Sequence, residues 1–274
     1  MSKNPQTPER PAERNRIGQF INSVRTAVLI EGGLINTFRT AFTVLKNEGW
    51  RGFRQRVGGA LSKNERNDYQ EWIRRYDSRT DADRARIRKK IDRMENKPLI
   101  SILMPTYNTP VEWLHNAIDS VRAQLYPNWE LCIADDASTD PAVRVVLENA
   151  CSQDQRIKAV FREKNGHISA ASNSALTLCA GEWVALMDHD DLLAEHALYC
   201  VADTINRHPE AQLIYSDEDK VSEHGYRFEP YFKCDFNRDL FYSHNMICHL
   251  GVYRRNLVEE IGGFREGIEG AQDY

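Results

Sequence analysis

From Leu99 onward the chain repeats one pattern: a short apolar run rich in β-branched residues, a polar cluster, then a stretch long enough for a helix. The apolar runs are 99–104, 129–134, 157–162, 183–187 and 212–216. Runs of this length bounded by turn formers read as buried strands. Strands that alternate with helices need crossover connections, which gives an α/β architecture with a mainly parallel, Rossmann-like sheet flanked by helices. That class also predicts where function lies, because ligands of open α/β sheets bind outside the carboxyl ends of the strands.

The helices have legible starts. Thr109-Pro110-Val111-Glu112 has the form of a capping box with proline at the first helical position, and Val111, Leu114, Ile118 and Val121 form the apolar stripe that follows. Asp140-Pro141 opens a second helix in the same manner, while 168–179 and about 194–207 supply the third and fourth. Gly262-Gly263-Phe264 suits a helix end turning into a loop.

Ahead of Leu99 the chain differs. Residues 1–16 are polar, Pro-rich and aperiodic, and are expected to be disordered. Residues 17–97 read as a basic helical region: Ile17, Phe20, Ile21, Val24, Val28 and Leu29 recur at helical spacing, and a second, heavily charged helix is expected over about 67–94. Asn96-Lys97-Pro98 marks the boundary of a domain over 98–274. Residues 1–97 carry a net charge of +10 and 98–274 one of −14, for −4 overall. A basic leader on an acidic domain suits peripheral attachment to an anionic membrane, with a solvated helical appendage as the alternative. No nucleic-acid recognition module is visible. No apolar stretch approaches the roughly 18 residues of a membrane span, and the polar N-terminus does not support a secretory signal. Six scattered cysteines without a C-x-x-C pair suit a reduced, cytoplasmic protein without structural zinc.

Each expected strand ends in polar residues. These are Pro105-Thr106-Tyr107-Asn108, Asp135-Asp136-Ala137-Ser138-Thr139-Asp140, Lys164-Asn165-Gly166-His167, Asp188-His189-Asp190-Asp191 and Asp217-Glu218-Asp219-Lys220. Taken alone, Asp188–Asp191 is explained by an acidic turn in which Asp191 helps to start the next helix. Five clusters on one edge, three of them acid-rich, repel one another unless a cation or hydrogen-bond donors offset the charge. Two carboxylates one residue apart on a turn suit Mg²⁺ or Mn²⁺, which take oxygen ligands and keep positions for substrate phosphates. There is no G-x-G-x-x-G and no G-x-x-x-x-G-K-[ST], so the dinucleotide and P-loop readings fall, and without a G-x-S-x-G elbow a triad hydrolase fits badly.

Together, P-T-Y-N, D-D-A-S-T-D, N-G-H-I-S-A-A-S-N, D-H-D-D, Y-S-D-E-D-K and the closing E-G-A-Q-D-Y resemble glycosyltransferase family 2, in its bacterial O-antigen and capsule polysaccharide branch. The resemblance spans 98–274 and implies a GT-A fold and a metal-dependent, inverting transfer from a nucleotide-sugar to a growing, lipid-linked polysaccharide. By position it implies that Pro105, Tyr107 and Asp136 hold the base and ribose, that Asn165 joins the nucleotide-sugar site, and that Asp188 lies against the ribose or the metal. It makes Asp190 the chief ligand of Mg²⁺ or Mn²⁺ and Asp273 the general base. Ser172 stands where many members carry Arg, which removes a phosphate contact. Relatives continue past the position of Tyr274, so the catalytic domain reads as truncated, and a sugar-nucleotide-binding but catalytically incomplete subunit is the alternative. A sugar nucleotidyltransferase would need a Gly- and Arg/Lys-rich loop after the first strand, which P-T-Y-N-T-P is not. His189 is expected as a surface turn residue and His249 as a structural strand residue. Asp217 and Glu218 are expected either at a strand-end turn or against the donor sugar or acceptor.

Overall fold

Where the apolar runs are continuous the chain forms strands: β1 (Ile100–Thr106), β2 (Trp129–Asp135), β3 (Ile157–Phe161), β4 (Trp183–Leu186) and β5 (Leu213–Tyr215). The computed structural model describes residues 66–268, apart from a few isolated positions before them. The expected disordered segment 1–16 and the amphipathic pattern of 17–57 therefore lie outside the described residues, save those few positions. Two further strands, β6 (Glu218–Val221) and β7 (Arg227–Tyr231), form an antiparallel hairpin, and β8 (Gly251–Arg254) returns to the main sheet. The sheet order is β3-β2-β1-β4-β8-β5. β1 to β4 are parallel, and β8 runs antiparallel to both β4 and β5, so β5 points with the parallel set.

Side chains alternate across the sheet as the pleat demands. Ile100, Ile102, Met104, Leu131, Ile133 and Trp183 belong to one core layer, and Leu103, Cys132, Ala134 and Val184 to another. The first layer includes residues of α2 (Asp81–Asp92), α3 (Val111–Arg122), α4 (Pro141–Gln153) and α6 (Ala197–Arg207), among them Ile91, Ile118, Leu147 and Leu198. The second includes Ala171 and Ala175 of α5 (His167–Leu176). Small residues on that face let the helix lie close to the strands. Each fully buried Ile or Leu contributes about 1.5–3 kcal/mol, and every residue of β1 and β2 is buried.

Local chemistry moves several boundaries. The charged helix expected over 67–94 is broken. α1 (Arg66–Trp72) runs into a π-helical turn (Ile73–Asp77), Ser78 is extended, and Thr80 caps α2 through a capping box with Asp83. Aspartate at that position closes the box as Glu or Gln would. Thr109 does not cap α3. Its hydroxyl is hydrogen-bonded to that of Thr106, and Pro110 itself takes the N-cap position. Asp140 caps α4, as expected, by accepting the Ala142 N–H at 2.9 Å. α6 starts at Ala197 rather than near 194, because the buried Gln124 amide donates to the Ala194 carbonyl and accepts from the Leu198 N–H, so it takes up the backbone groups at the helix start. The helix α8 (Arg255–Glu260) ends at Gly262 and Gly263, both at positive φ, in the expected helix-to-loop turn.

Among the described residues the chain divides into two compact units, one that carries the sheet, 79–217 with 232–268, and one of 66–78 with 218–231. Within the second, Arg227 of β7 pairs with Asp77 and Asp219, both at 2.6 Å, and the Tyr69 hydroxyl donates to Asp219. The side chain of Asp219, from the fifth acidic cluster, is thereby occupied. Among the described residues no helix is long and apolar enough to cross a membrane.

At the amino edge of the sheet one buried carboxylate ties four segments together. Glu130 of β2 accepts from the Ser101 hydroxyl (2.6 Å), Lys158 Nζ (2.6 Å) and the N–H groups of Ala180 (2.5 Å) and Gly181 (3.1 Å). Burial alone would raise its pKa, but these donors and the Lys158 charge hold it below the usual glutamate range. A depressed native pKa gives stability that is complete above the unfolded-state value and is lost as pH falls through the native one. Glu130→Ala should lower stability near neutral pH by about 1–3 kcal/mol, through the buried N–H groups it leaves without an acceptor. In urea titrations the gap between wild type and variant should narrow below the unfolded-state glutamate pKa of about 4.3; a gap that stays constant with pH would show that the carboxylate charge contributes nothing.

Candidate functional site

Strand order reverses at the centre of the sheet. β1, β2 and β3 step one way, and β4 then returns to the other side of β1. The crevice at such a reversal, beyond the carboxyl ends, is where this class of sheet binds ligands. β4 delivers Asp188-His189-Asp190-Asp191 to that crevice, with Met187 N–H bonded to the Leu103 carbonyl (3.1 Å) and Asp191 N–H to that of Asp188 (3.2 Å). His189 Nδ1 lies 3.3 Å from the Pro105 carbonyl, so this turn residue leans on the end of β1.

His249 arrives from the other direction. Because β8 is antiparallel, the residues just before it lie at the carboxyl edge of β4 and β5, with Val252 opposite Ala185 and Gly251 opposite Tyr215. Its imidazole stands between two carboxylates, Nε2 at 3.6 Å from Asp188 Oδ2 and Nδ1 at 3.6 Å from Asp191 Oδ2. One ligand atom from each of the three residues lies within 4.8 Å of the others. Burial, and then the Asp188 and Asp190 charges, push the Asp191 pKa up against the opposing effect of His249. Anionic charge crowded in this way is relieved by a divalent cation, and the donor set of two carboxylates and an imidazole suits one.

A second carboxylate site lies at the ends of β2 and β3. Asp136 is buried, and its carboxylate accepts the Gly166 N–H (3.0 Å) and pairs with Arg162 Nε (2.7 Å). Arg162 is itself held by the Ala170 carbonyl (2.7 Å) and the Ser174 hydroxyl (2.5 Å) of α5. Gly166 has no room for a side chain, since a Cβ there would meet Arg162 Nη2 at 2.5 Å and Ala170 Cβ at 2.9 Å. The Asn165 amide donates to the Asp136 carbonyl (3.3 Å). Beside them Pro105 is buried and Tyr107 is exposed, while Asn108 accepts the Thr139 N–H (2.8 Å), joining the loops after β1 and β2.

The sequence-derived site residues thus fall into groups. Pro105, Asp136, Asn165 and Asp188 all stand at the ends of parallel strands, as expected. Asp190 is exposed on the turn and is not one of the three residues brought together. Asp273 lies outside the described residues. Ser172 is buried in α5. Asp217 follows β5 and accepts the Lys233 N–H (2.7 Å), in the expected strand-end turn, whereas Glu218 lies in no turn but is the first residue of β6, opposite Tyr231. Two roles need correction. Asp191 does not start a helix, because α6 begins only at Ala197. His249 is not a structural strand residue but precedes β8 and faces the carboxylates. The missed signal was directional: a strand entered from the carboxyl edge puts the residue ahead of it into the site.

A family model described as Glycosyl transferase family 2 matches residues 101–262. The chain is 52% identical over 206 residues to Uncharacterized protein y4gI of Sinorhizobium fredii (strain NBRC 101917 / NGR234), covering 75% of this chain and 23% of that protein. It is 33% identical over 207 residues to the O-antigen biosynthesis protein RfbC of Myxococcus xanthus, covering 76% of this chain and 16% of that protein. To the chondroitin synthase of Escherichia coli it is 29% identical over 186 residues, covering 66% and 26%. The chain therefore spans about a quarter or less of the length of these relatives. Among solved structures, S. aureus TarS 1-349 in complex with UDP-GlcNAc superposes with a TM-score of 0.53 at 24% identity, over 64% of this chain and 50% of that one. That likeness shows the GT-A fold.

The Asp136–Arg162 pair can be tested apart from any ligand. Arg162→Met should cost on the order of 3 kcal/mol, since it leaves a buried carboxylate without its cation. Adding Asp136→Asn should recover much of that loss in urea unfolding. Strictly additive losses in the double variant would mean that the two groups do not depend on each other.

Proposed function

Because the chain belongs to glycosyltransferase family 2, we propose that it carries the catalytic domain of a metal-dependent, inverting transferase that moves a sugar from a nucleotide-sugar to a growing, lipid-linked polysaccharide. The observation that carries this reading is the meeting of Asp188, Asp191 and His249 at the carboxyl edge of the sheet. These residues would hold Mn²⁺ or Mg²⁺, and the imidazole favours Mn²⁺, because Mg²⁺ takes oxygen ligands almost throughout. Bound there, the ion supplies charge stabilisation to the departing nucleoside diphosphate. Asp190 is assigned to the same ion by the family pattern alone.

The chain's own residues then divide the work. Asp136 is held by Arg162 and the Gly166 N–H, so its carboxylate is fixed in place to accept from the edge of a base. Pro105, Tyr107 and Asn165 would border the base and ribose, and Asp188 would reach both ribose and metal. Asp273 would take the proton of the acceptor hydroxyl as that hydroxyl attacks the anomeric carbon, a proton transfer that needs a carboxylate within hydrogen-bond reach. With base and leaving group on opposite faces of the sugar, the configuration inverts.

The basic region ahead of the sheet would bring this edge to a lipid-linked acceptor on an anionic cytoplasmic leaflet, each Lys or Arg near the surface contributing about 1 kcal/mol. Removing residues 1–65 leaves α2 in the core and should abolish salt-sensitive sedimentation with anionic vesicles. Equal binding of the whole chain to neutral vesicles would sink the attachment.

Calorimetry with UDP, GDP and dTDP tests the site. At least one diphosphate should bind more tightly with Mn²⁺ than with Mg²⁺, and Asp190→Ala, Asp191→Asn and His249→Ala should each weaken the Mn²⁺-dependent binding by more than about 10-fold, the cost of losing even an outer partner of a metal ligand. Unchanged affinity in all three variants removes the metal reading. In a chain that continues past Tyr274, Asp273→Asn should keep donor affinity within a few-fold while turnover drops roughly 10²–10⁴-fold; near-normal turnover would assign the base elsewhere.

A further inference from the structure

Residues 245–250, which deliver His249, lie between α7 (Arg238–Ser243) and β8 and belong to neither. No strand ladder fixes their register, so their backbone groups must be satisfied in some other way. Three side chains do this. Asn245 Oδ1 accepts the N–H groups of Ile247 (3.1 Å) and Cys248 (3.0 Å), and the Ser216 hydroxyl accepts that of Leu250 (3.1 Å). On the carbonyl side, Lys233 Nζ donates to Ile247 (2.6 Å) and His249 (2.5 Å). Lys233 is anchored in turn through its own N–H, which donates to Asp217 at the end of β5.

An ammonium group suits this post. It carries three donors on a flexible stem and can serve two carbonyls at once. One of those carbonyls belongs to the residue whose imidazole stands 3.6 Å from both Asp188 and Asp191.

We propose that Lys233 is a positioning residue for the metal-binding imidazole: by holding the carbonyls of Ile247 and His249 it fixes the backbone from which His249 meets the two aspartates. The proposal rests on the reading of Asp188, Asp191 and His249 as a metal site. Lys233 touches neither donor nor acceptor in this scheme and acts only through His249. Lys233→Met keeps the length of the stem and removes the donors; Lys233→Arg keeps the charge and restores some of them.

The test has two independent readouts. In metal-free protein, the imidazole Cε1–H resonance of His249, identified by its loss in His249→Ala, should shift or broaden in Lys233→Met and return toward the wild-type position in Lys233→Arg. In Mn²⁺ titrations followed by electron paramagnetic resonance, Lys233→Met should weaken binding roughly 10- to 100-fold, the range for partners that orient a metal ligand. On a His249→Ala background the same substitution should add little further loss. An unmoved His249 resonance in folded Lys233→Met protein overturns the proposal, as does a full, additive loss in the double variant. If His249→Ala itself leaves Mn²⁺ affinity unchanged, the metal reading fails separately, while the resonance still decides whether Lys233 sets the imidazole. Should Lys233→Met not fold, Lys233→Gln, whose shorter stem carries no charge, takes its place with the same readouts: a displaced resonance with weakened Mn²⁺ binding supports the role, and wild-type values for both overturn it.

Discussion

A sheet covered on both faces must use its backbone hydrogen bonds internally, and the architecture here follows from that requirement. β1 and β2 are buried along their whole length, and their N–H and C=O groups are committed to parallel ladders with β3 and β4. Polar side chains can then emerge only where the ladders stop. Because β1 to β4 all point the same way, they stop together, and the chemistry of four separate chain segments collects on one edge. The opposite edge carries Glu130, whose role is structural. Donors saturate its carboxylate, which joins β1, β2, β3 and the turn before β4.

The acidic groups of the fold differ in what offsets their charge. Glu130 has Lys158, Asp219 has Arg227, and Asp136 has Arg162. At the end of β4 three aspartates share a turn, and the imidazole of His249 stands beside two of them. Burial above all, with the Asp188 and Asp190 charges added, raises the Asp191 pKa against the opposing effect of His249. The charge of Asp136 is offset by Arg162 while it stands at the ligand-binding edge.

Much of this was legible in the sequence, because strand and helix signals are local. The apolar run at Trp183–Met187 gave β4, and the carboxylates behind it landed at the expected edge; Asp140-Pro141 opened α4 as its residue types require. Two other features were not local. The Thr109 hydroxyl has two outlets, a helix cap or a neighbouring hydroxyl, and only the fold brings Thr106 within reach. Likewise the role of His249 depends on β8 slotting between β4 and β5 in the reverse sense, a pairing set by tertiary structure and not by the pattern around Leu250–Tyr253. Asp190 shows the opposite limit: the family pattern singles it out, whereas the geometry groups its neighbours on either side, Asp188 and Asp191.

The hydrogen bond between Asp217 and the Lys233 N–H has a topological meaning of its own. It closes the base of the excursion that contains β6 and β7, so the chain leaves the sheet unit and re-enters it at nearly the same point. With the ends of a segment already joined, its length adds little, since doubling a loop costs only about 0.6 kcal/mol in closure entropy. Residues 218–231 are thus closed at their base by the sheet unit's own residues, while what holds them within their own unit is the meeting of Asp219 and Arg227 with Tyr69 and Asp77.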